Sequence, residues 1–244
     1  MNFWDPSGLD PIPTWATRIN WGLGTNDDYW KALQFNLNSW SSHNLTPHPY
    51  VEKAVARAKI AKKSIFYDQT NPSWGSIMYS NHNDKEQTIG TSGCGPTSMA
   101  IIVATLKGNG VTPDTIAQYC IDNNFRTYNN GTANSFAASV ASEYGLSHTG
   151  ISDLKIINKL NGNSMVIVSV NGILTSTGHF VVISGVQVVD GVQYYCVYDP
   201  NYAENDKLGR LSTSNVKKTD IDGQVLVKVN ALDKVITFAA QISK

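Results

Sequence analysis

The sequence predicts an α+β fold in which helices come first and an antiparallel sheet follows. Between residues 94 and 160, apolar segments lie between residues that typically start and stop helices. From residue 164 onward the pattern changes to short runs rich in valine, isoleucine and tyrosine, which favour strands. Helices and strands that are separated along the chain, rather than alternating, are typical of α+β domains.

Residues 1–63 are interpreted as a lead-in to a main domain that covers residues 64–244. The lead-in starts with a proline-rich stretch that predicts turns rather than a helix or a strand. A short helix is expected within residues 28–43, and the alanine- and lysine-rich segment 49–63 predicts a second one. Residues 69–93 are rich in asparagine, serine and glycine, and they predict a long polar connection.

Four helices are predicted in the main domain, and the first one begins at Cys94. Pro96 suits the first turn of this helix, and Gly108 suits its end after an apolar run. The others are expected at residues 112–122, with Pro113 in the first turn, at residues 132–145, with Thr132 as the cap, and at residues 151–160.

Five strands are predicted after the helices, and glycine or asparagine residues bound them. Asp190 and Gly191 stand between the second and third strands, and this dipeptide is typical of a two-residue hairpin turn. The predicted strands are Met165–Val170, His179–Val189, Tyr194–Tyr198, Val225–Val229 and Val235–Ile242.

The composition argues against several classes of function. The 244 residues include 19 basic and 19 acidic ones, so neither nucleic acid nor an anionic membrane is expected as a partner. No apolar run is long enough to span a bilayer, and the N-terminus lacks the pattern of a signal peptide. The three cysteines, Cys94, Cys120 and Cys196, cannot form a disulfide framework, and their spacing argues against structural zinc. No metal or cofactor is therefore expected.

Cys94 is the residue to which the sequence assigns reactivity. It stands where a glycine-flanked loop enters an apolar helix, and free backbone N–H groups at a helix start stabilise a thiolate. Gly93 and Gly95 on either side are expected to let a substrate backbone come close. Cys120 lies within a predicted helix and Cys196 within a predicted strand, which are the settings of inert buried cysteines.

His179 and Asp199 are the predicted partners of this thiol. His179 opens a strand after Gly178, and Asp199 ends the next strand. If the two strands form a hairpin, Asp199 comes to lie beside His179. A nucleophilic thiol needs a base within reach, and the base needs a group that orients it, so this pair completes a Cys-His-Asp triad.

Several segments of the sequence, in the same order, resemble the C39-like cysteine peptidases of bacteria. The resemblance covers about residues 64–205 and implies a papain-like fold, with the nucleophile on a helical lobe and the histidine and aspartate on an antiparallel sheet. It implies that Cys94 is the nucleophile, His179 the general base and acid, and Asp199 the residue that orients the histidine. The matching segments are SGCGPTSMA, VTPDTIA, EYGL, GHFVVISG and YDPN, together with Tyr67-Asp68-Gln69 and the downstream Trp74.

The oxyanion hole departs from the papain-like pattern. Papain-like enzymes carry a glutamine six residues before the cysteine, and Thr88 occupies that position here, with Gln87 one residue away. The resemblance therefore points to Gln87 as the oxyanion donor, while Gln69 and a backbone amide beside Cys94 remain alternatives.

The lead-in carries a second resemblance. Residues 2–9, NFWDPSGL, resemble the DPxGL sequence that closes the core of Rhs and YD-repeat proteins. In those proteins the core is a shell, and the variable C-terminal domain is a toxin. The resemblance implies that this chain is the toxic tip of a larger exported protein, secreted or delivered into a target cell, with a cognate immunity protein as a partner.

The leading functional hypothesis is a secreted cysteine peptidase that acts on a protein or peptide substrate as an effector or interbacterial toxin. The same triad also fits an endopeptidase for peptidoglycan stem peptides. Thiol chemistry equally permits a deamidase or a transglutaminase, depending on whether water or an amine resolves the acyl-enzyme. A catalytically inactive papain-like binding module is the non-enzymatic alternative.

Overall fold

The computed structural model describes residues 64–244, apart from residues 109, 130 and 161. The helices predicted within residues 28–43 and 49–63 lie outside the described residues, and the division into a lead-in and a main domain stays a prediction. Among the described residues, no helix combines the length and the apolar character needed to cross a membrane.

Three of the four predicted helices are α-helices close to the predicted positions. The central one begins at Cys94, as predicted, and Gly108 ends it in the left-handed conformation (φ 69°) that glycine adopts without strain. The α-helices that precede the sheet are α1 (Ile89–Ser92), α2 (Cys94–Lys107), α3 (Pro113–Asp122) and α4 (Phe136–Glu143).

The prediction that Thr132 caps the third helix is wrong. Helix α4 begins four residues later, with Ser135 at the N-cap position. Thr132 instead forms an isolated antiparallel bridge with Arg126, and its Oγ1 lies 2.7 Å from the hydroxyl of Tyr79. The Thr132 side chain therefore links two loops, because its hydrogen bond with the distant Tyr79 replaces the bond that would have capped the helix.

The segments before and after these helices form helices that are too short to give a clear pattern in the sequence. Residues 151–160 contain a 3₁₀ helix, Leu154–Lys159, rather than an α-helix, and the Asp153 carboxylate caps it. The polar connection ends in α1, where Thr88 and Thr91 form a capping box by accepting each other's backbone N–H.

All five predicted strands are present in an antiparallel sheet that has seven strands in the described part of the chain. Asp190 and Gly191 join the third and fourth strands with φ values of 51° and 75°, as a type I′ hairpin turn requires. The strands, in the spatial order β1-β7-β2-β3-β4-β6-β5, are β1 (Ser147–Gly150), β2 (Ser164–Asn171), β3 (Gly178–Val189), β4 (Val192–Tyr198), β5 (Val216–Lys218), β6 (Gln224–Lys228) and β7 (Ile236–Ser243).

Both faces of the central strand β3 are buried, and this fixes how the helices meet the sheet. Phe180 and Val182 pack with the helices, whereas Val181 and Ile183 belong to the core on the opposite face. Burial of each such side chain contributes about 1.5–3 kcal/mol. Helix α2 packs against β3, and the backbone of Phe180, near the start of the strand, contacts Cys94 at the start of the helix. The predicted α+β arrangement is confirmed.

Candidate active site

Cys94 is the first residue of α2, and its side chain is partly exposed. Burial raises the pKa of the thiol, but a hydrogen bond from His179 and the positive charge of that residue lower it. The backbone N–H groups of Phe180 and Gly95 also donate to the sulfur and lower the pKa further. The net pKa of Cys94 lies below its usual value, which favours the nucleophilic thiolate.

The glycines beside Cys94 pack closely against neighbouring residues, and their predicted role in admitting a substrate backbone stays a prediction. A Cβ on Gly93 would lie 2.5 Å from the carbonyl oxygen of Ile89, and one on Gly95 would lie 2.9 Å from Oγ1 of Thr132. These separations are shorter than van der Waals contact allows. Both glycines therefore let the chain pack against itself around Cys94.

His179 and Asp199 form a short buried hydrogen bond. The Nε2 atom of His179 donates to Oδ1 of Asp199 at 2.7 Å, and the two residues are 5% and 0% exposed. Burial alone would lower the pKa of His179, but the charge of Asp199 and this hydrogen bond outweigh it, as do the contacts with Cys94. The pKa of His179 is therefore raised, so the imidazolium is the favoured form beside a thiolate.

The two ring nitrogens of His179 serve different partners. Because Nε2 is bonded to Asp199, Nδ1 is the atom that is free to exchange a proton with Cys94. Asp199 thus fixes the ring orientation and the tautomer, as the orienting member of a triad does. The structure brings together the three residues that the sequence selected.

Asn205 is a neighbour of this group that sequence reasoning missed. Oδ1 of Asp199 also accepts the backbone N–H of Asn201 at 2.9 Å, and its Oδ2 accepts Nδ2 of Asn205 at 2.7 Å. Asn205 lies in a short helix after β4, α5 (Tyr202–Lys207), and is fully buried. A second short helix, α6 (Val229–Leu232), follows β6.

The other two cysteines lie in settings that suppress reactivity. Burial raises the pKa of Cys120 to about 12. Cys196 is a buried residue of strand β4. Across the described ranges of the chain, no cluster of histidine, cysteine and acidic side chains is arranged to hold a metal ion.

Gln87, the predicted oxyanion donor, is engaged in a polar cluster. Its Nε2 donates to the carboxylate of Asp84 at 3.0 Å and to the amide oxygen of Asn129 at 3.2 Å, and its Oε1 accepts from Arg126 at 2.6 Å. Both amide protons are thus in use. Donation to a substrate oxyanion would require Gln87 to give up one of these bonds.

Gln69 lies between the segment before Cys94 and the loop after Asp199. Its backbone N–H donates to the carbonyl of Pro200 at 2.6 Å, and its Nε2 donates to the carbonyl of Gly90 at 2.8 Å. The residue is 4% exposed and lines a polar cleft of about 670 Å³. Gly90, four residues before Cys94, and Asn201, two residues after Asp199, also line this cleft, whereas Cys94, His179 and Asp199 do not.

Comparisons with known proteins identify the family of this chain. Residues 75–219, more than half of the chain, match the Peptidase_C39 like family, and they include Cys94, His179 and Asp199. A solved structure, the peptidase domain of Streptococcus ComA, a bi-functional ABC transporter involved in a quorum sensing pathway, is similar over 63% of this chain and 92% of its own, with 16% identity and a TM-score of 0.43. Among curated protein sequences, none matches the chain. The family match shows that the chain belongs to the C39-like family of cysteine peptidases, which have the papain-like fold.

Proposed function

We propose that Cys94, His179 and Asp199 form a catalytic triad that cleaves peptide bonds. The observation that carries this proposal is the hydrogen-bonded series from the Cys94 thiol through His179 to the buried Asp199. The sulfur attacks the carbonyl carbon, and the C–N bond breaks as the imidazolium protonates the leaving amine. Water then hydrolyses the thioester, with His179 taking the proton of that water as general base.

The oxyanion hole is assigned to the backbone N–H of Cys94 and the side chain of Gln69. A residue at the start of a helix has an N–H group without an intrahelical acceptor, and Cys94 occupies that position in α2. One amide proton of Gln69 is bound to Gly90, four residues before Cys94, and the second remains to donate. Gln69 therefore suits this role better than Gln87, whose amide protons are both engaged.

The proposed biological setting is delivery of the peptidase as the tip of a larger exported protein. The support is the NFWDPSGL sequence at residues 2–9, which resembles the end of an Rhs core. In that setting the peptidase acts as an effector or an interbacterial toxin, and an immunity protein is its partner. The assignment of the catalytic site to an amide substrate does not depend on how the chain is delivered.

A substrate screen with a matched variant tests the proposed function. The chain and its Cys94→Ala variant are incubated with casein and, separately, with purified peptidoglycan, and the products are identified by mass spectrometry. New peptide termini that appear with the chain and not with the variant support a peptidase. Products confined to peptidoglycan stem peptides select the wall substrate, while conversion of glutamine without cleavage contradicts peptide hydrolysis. No reaction with either substrate, together with an unreactive Cys94 thiol, would favour a binding module.

A further inference from the structure

We propose that Asn205 and Arg210 are positioning residues that hold Asp199 as a fixed acceptor for His179. The inference rests on the proposed triad and extends it by two residues. Arg210 lies three residues after the end of α5, and Asn205 lies within that helix. Neither is expected to touch the substrate, so both act through the aspartate.

The carboxylate of Asp199 has no access to solvent, and its two oxygens depend on protein donors. Oδ1 accepts from His179 and from the backbone N–H of Asn201, and Oδ2 accepts from Nδ2 of Asn205 at 2.7 Å. Asp199 and Asn205 are both 0% exposed. Because a buried polar group is costly when its hydrogen bonds are incomplete, the bond to Asn205 stabilises the carboxylate in this orientation.

The orientation of the Asn205 amide is fixed by the chemistry of its two neighbours. Nη1 of Arg210 donates to Oδ1 of Asn205 at 3.0 Å, and the backbone N–H of Arg210 donates to the carbonyl of Asn205 at 2.9 Å. A guanidinium only donates and an ionised carboxylate only accepts, so the amide oxygen must face Arg210 and the amide nitrogen must face Asp199. The positive charge of Arg210 polarises the amide towards the carboxylate and strengthens the bond.

The charged and titratable groups next to Asp199 determine how a change at Asn205 affects His179 and Cys94. His179 and, through Asn205, Arg210 are the cationic groups next to it. Tyr202 is a further titratable neighbour, and burial raises its pKa, so it stays neutral near neutral pH. Without the Asn205 donor, the buried carboxylate is no longer held with Oδ1 towards His179. The imidazolium then loses its oriented acceptor, and the thiolate of Cys94 becomes less favoured.

The experiment measures the rate of iodoacetamide alkylation of Cys94 against pH, which needs no knowledge of the substrate. Asn205→Ala should slow alkylation about tenfold at about pH 6, the effect of losing one hydrogen bond to a charged group, and should shift the profile to higher pH. Asn205→Leu keeps the approximate size of the side chain but has no donor, so it should be impaired about as much as Asn205→Ala. Arg210→Met should shift the profile less, and Arg210→Lys should restore part of the loss.

Control variants separate this inference from a structural role and from the triad itself. Lys207→Met changes an exposed cation of α5 that pairs with Glu204 at 3.4 Å, and it should keep the original profile. A folded Asn205→Leu protein with the original profile, or an Asn205→Ala protein that is slower by the same factor at every pH, would overturn the inference. If His179→Ala leaves the profile unchanged, the proposed triad is wrong. If His179→Ala shifts the profile and the Asn205 and Arg210 variants do not, only the positioning role is wrong.

Discussion

Cys94, Cys120 and Cys196 carry the same thiol in three environments that differ in available donors. The start of α2 and the His179 side chain supply donors to Cys94, whereas burial dominates at Cys120 and raises its pKa to about 12. Alkylation proceeds through the thiolate, so its rate follows these pKa values. At the scale of single residues, reactivity is set by neighbours and not by residue type.

The first prediction follows from this contrast. Iodoacetamide at about pH 6 should label Cys94 at least tenfold faster than Cys120 or Cys196 in the folded protein, because the pKa of Cys94 is lowered, the pKa of Cys120 is raised, and Cys196 is buried. Peptide mapping by mass spectrometry measures the three rates separately. Equal labelling of all three thiols in the folded protein would contradict a catalytic role for Cys94.

The second prediction concerns the pH dependence of the reaction. The pKa of Cys94 lies below its usual 9.0, and the pKa of His179 lies above its usual 6.5. At pH values between the two shifted pKa values, the Cys94 thiolate and the His179 imidazolium are present together. Activity should fall as acid protonates the thiolate and fall again when alkali deprotonates the imidazolium, well above pH 6.5. A profile of kcat/KM that already falls around pH 6.5 as the pH rises would mean that Asp199 does not stabilise the imidazolium of His179.

A matched set of variants gives the third prediction. His179→Ala should reduce kcat/KM about 10³-fold or more, close to the loss in Cys94→Ala, because nucleophile and base act as a unit. Asp199→Ala should cost less, since packing retains part of the ring orientation. An Asp199→Ala protein that loses more activity than His179→Ala while remaining folded would contradict these roles.

The sequence predicted the triad better than its surroundings for a physical reason. Cys94, His179 and Asp199 stand at ends of elements, and the order of those elements along the chain restricts where they can meet. The sequence around Asn205 gives no such indication, because an asparagine in a short helix can equally well be exposed to solvent. Its burial beside Asp199 depends on tertiary packing, which no local pattern reports.

At the scale of elements, the start of α2 is held by close contacts that leave no space for a larger residue. A Cβ on Gly95 would lie 2.9 Å from Oγ1 and 3.0 Å from Cβ of Thr132, and 3.3 Å from the ring of Phe136. Thr132 is itself tied to Tyr79, so it cannot move away freely. The loop that carries Thr132 and the helix that carries Cys94 therefore fix each other.

The fourth prediction tests this packing. Gly95→Ala should destabilise the protein by about 1–3 kcal/mol and reduce activity, because the added methyl group displaces the start of α2 from Thr132. Gly110→Ala is the control, since a Cβ there meets nothing within 4 Å. Thermal unfolding measures both changes. Equal Tm values for the two variants would contradict the role assigned to Gly95.

Elements with strong local signals were predicted well, and those defined by long-range pairing were not. Helix α2 and the β3–β4 hairpin have their stop and turn residues in the sequence, and the structure confirms both. Strand β1 has four exposed residues and β5 has only three residues, so neither shows the apolar pattern of a buried strand. They are strands because β7 and β6 pair with them.

At the scale of the whole molecule, the beginning of the described chain is tied to the elements that carry the site. The backbone N–H of Ile65 donates to Oγ1 of Thr105 in α2 at 2.9 Å, and Gln69 is bonded to Pro200 beside Asp199. Shortening the chain into this segment removes contacts with both halves of the triad. The effect of a truncation should therefore depend on how close it comes to residue 64.

The last prediction uses two truncations to test the proposed lead-in and its delivery setting. Deleting residues 1–9 should leave the peptidase activity and Tm essentially unchanged, because the sequence of that stretch predicts neither a helix nor a strand that the peptidase domain would need. Deleting residues 1–63 should lower both, because the apolar side chains Trp30, Phe35, Leu37 and Trp40 need an apolar surface to cover. A protein without residues 1–63 that keeps full activity and Tm would show that the lead-in is only a linker.

In the proposed Rhs-type parent, Asp5 belongs to the processing site of the shell, so mass spectrometry of the expressed parent should find cleavage near Leu9. An uncleaved parent chain would contradict the proposed shell and tip while leaving the peptidase assignment intact.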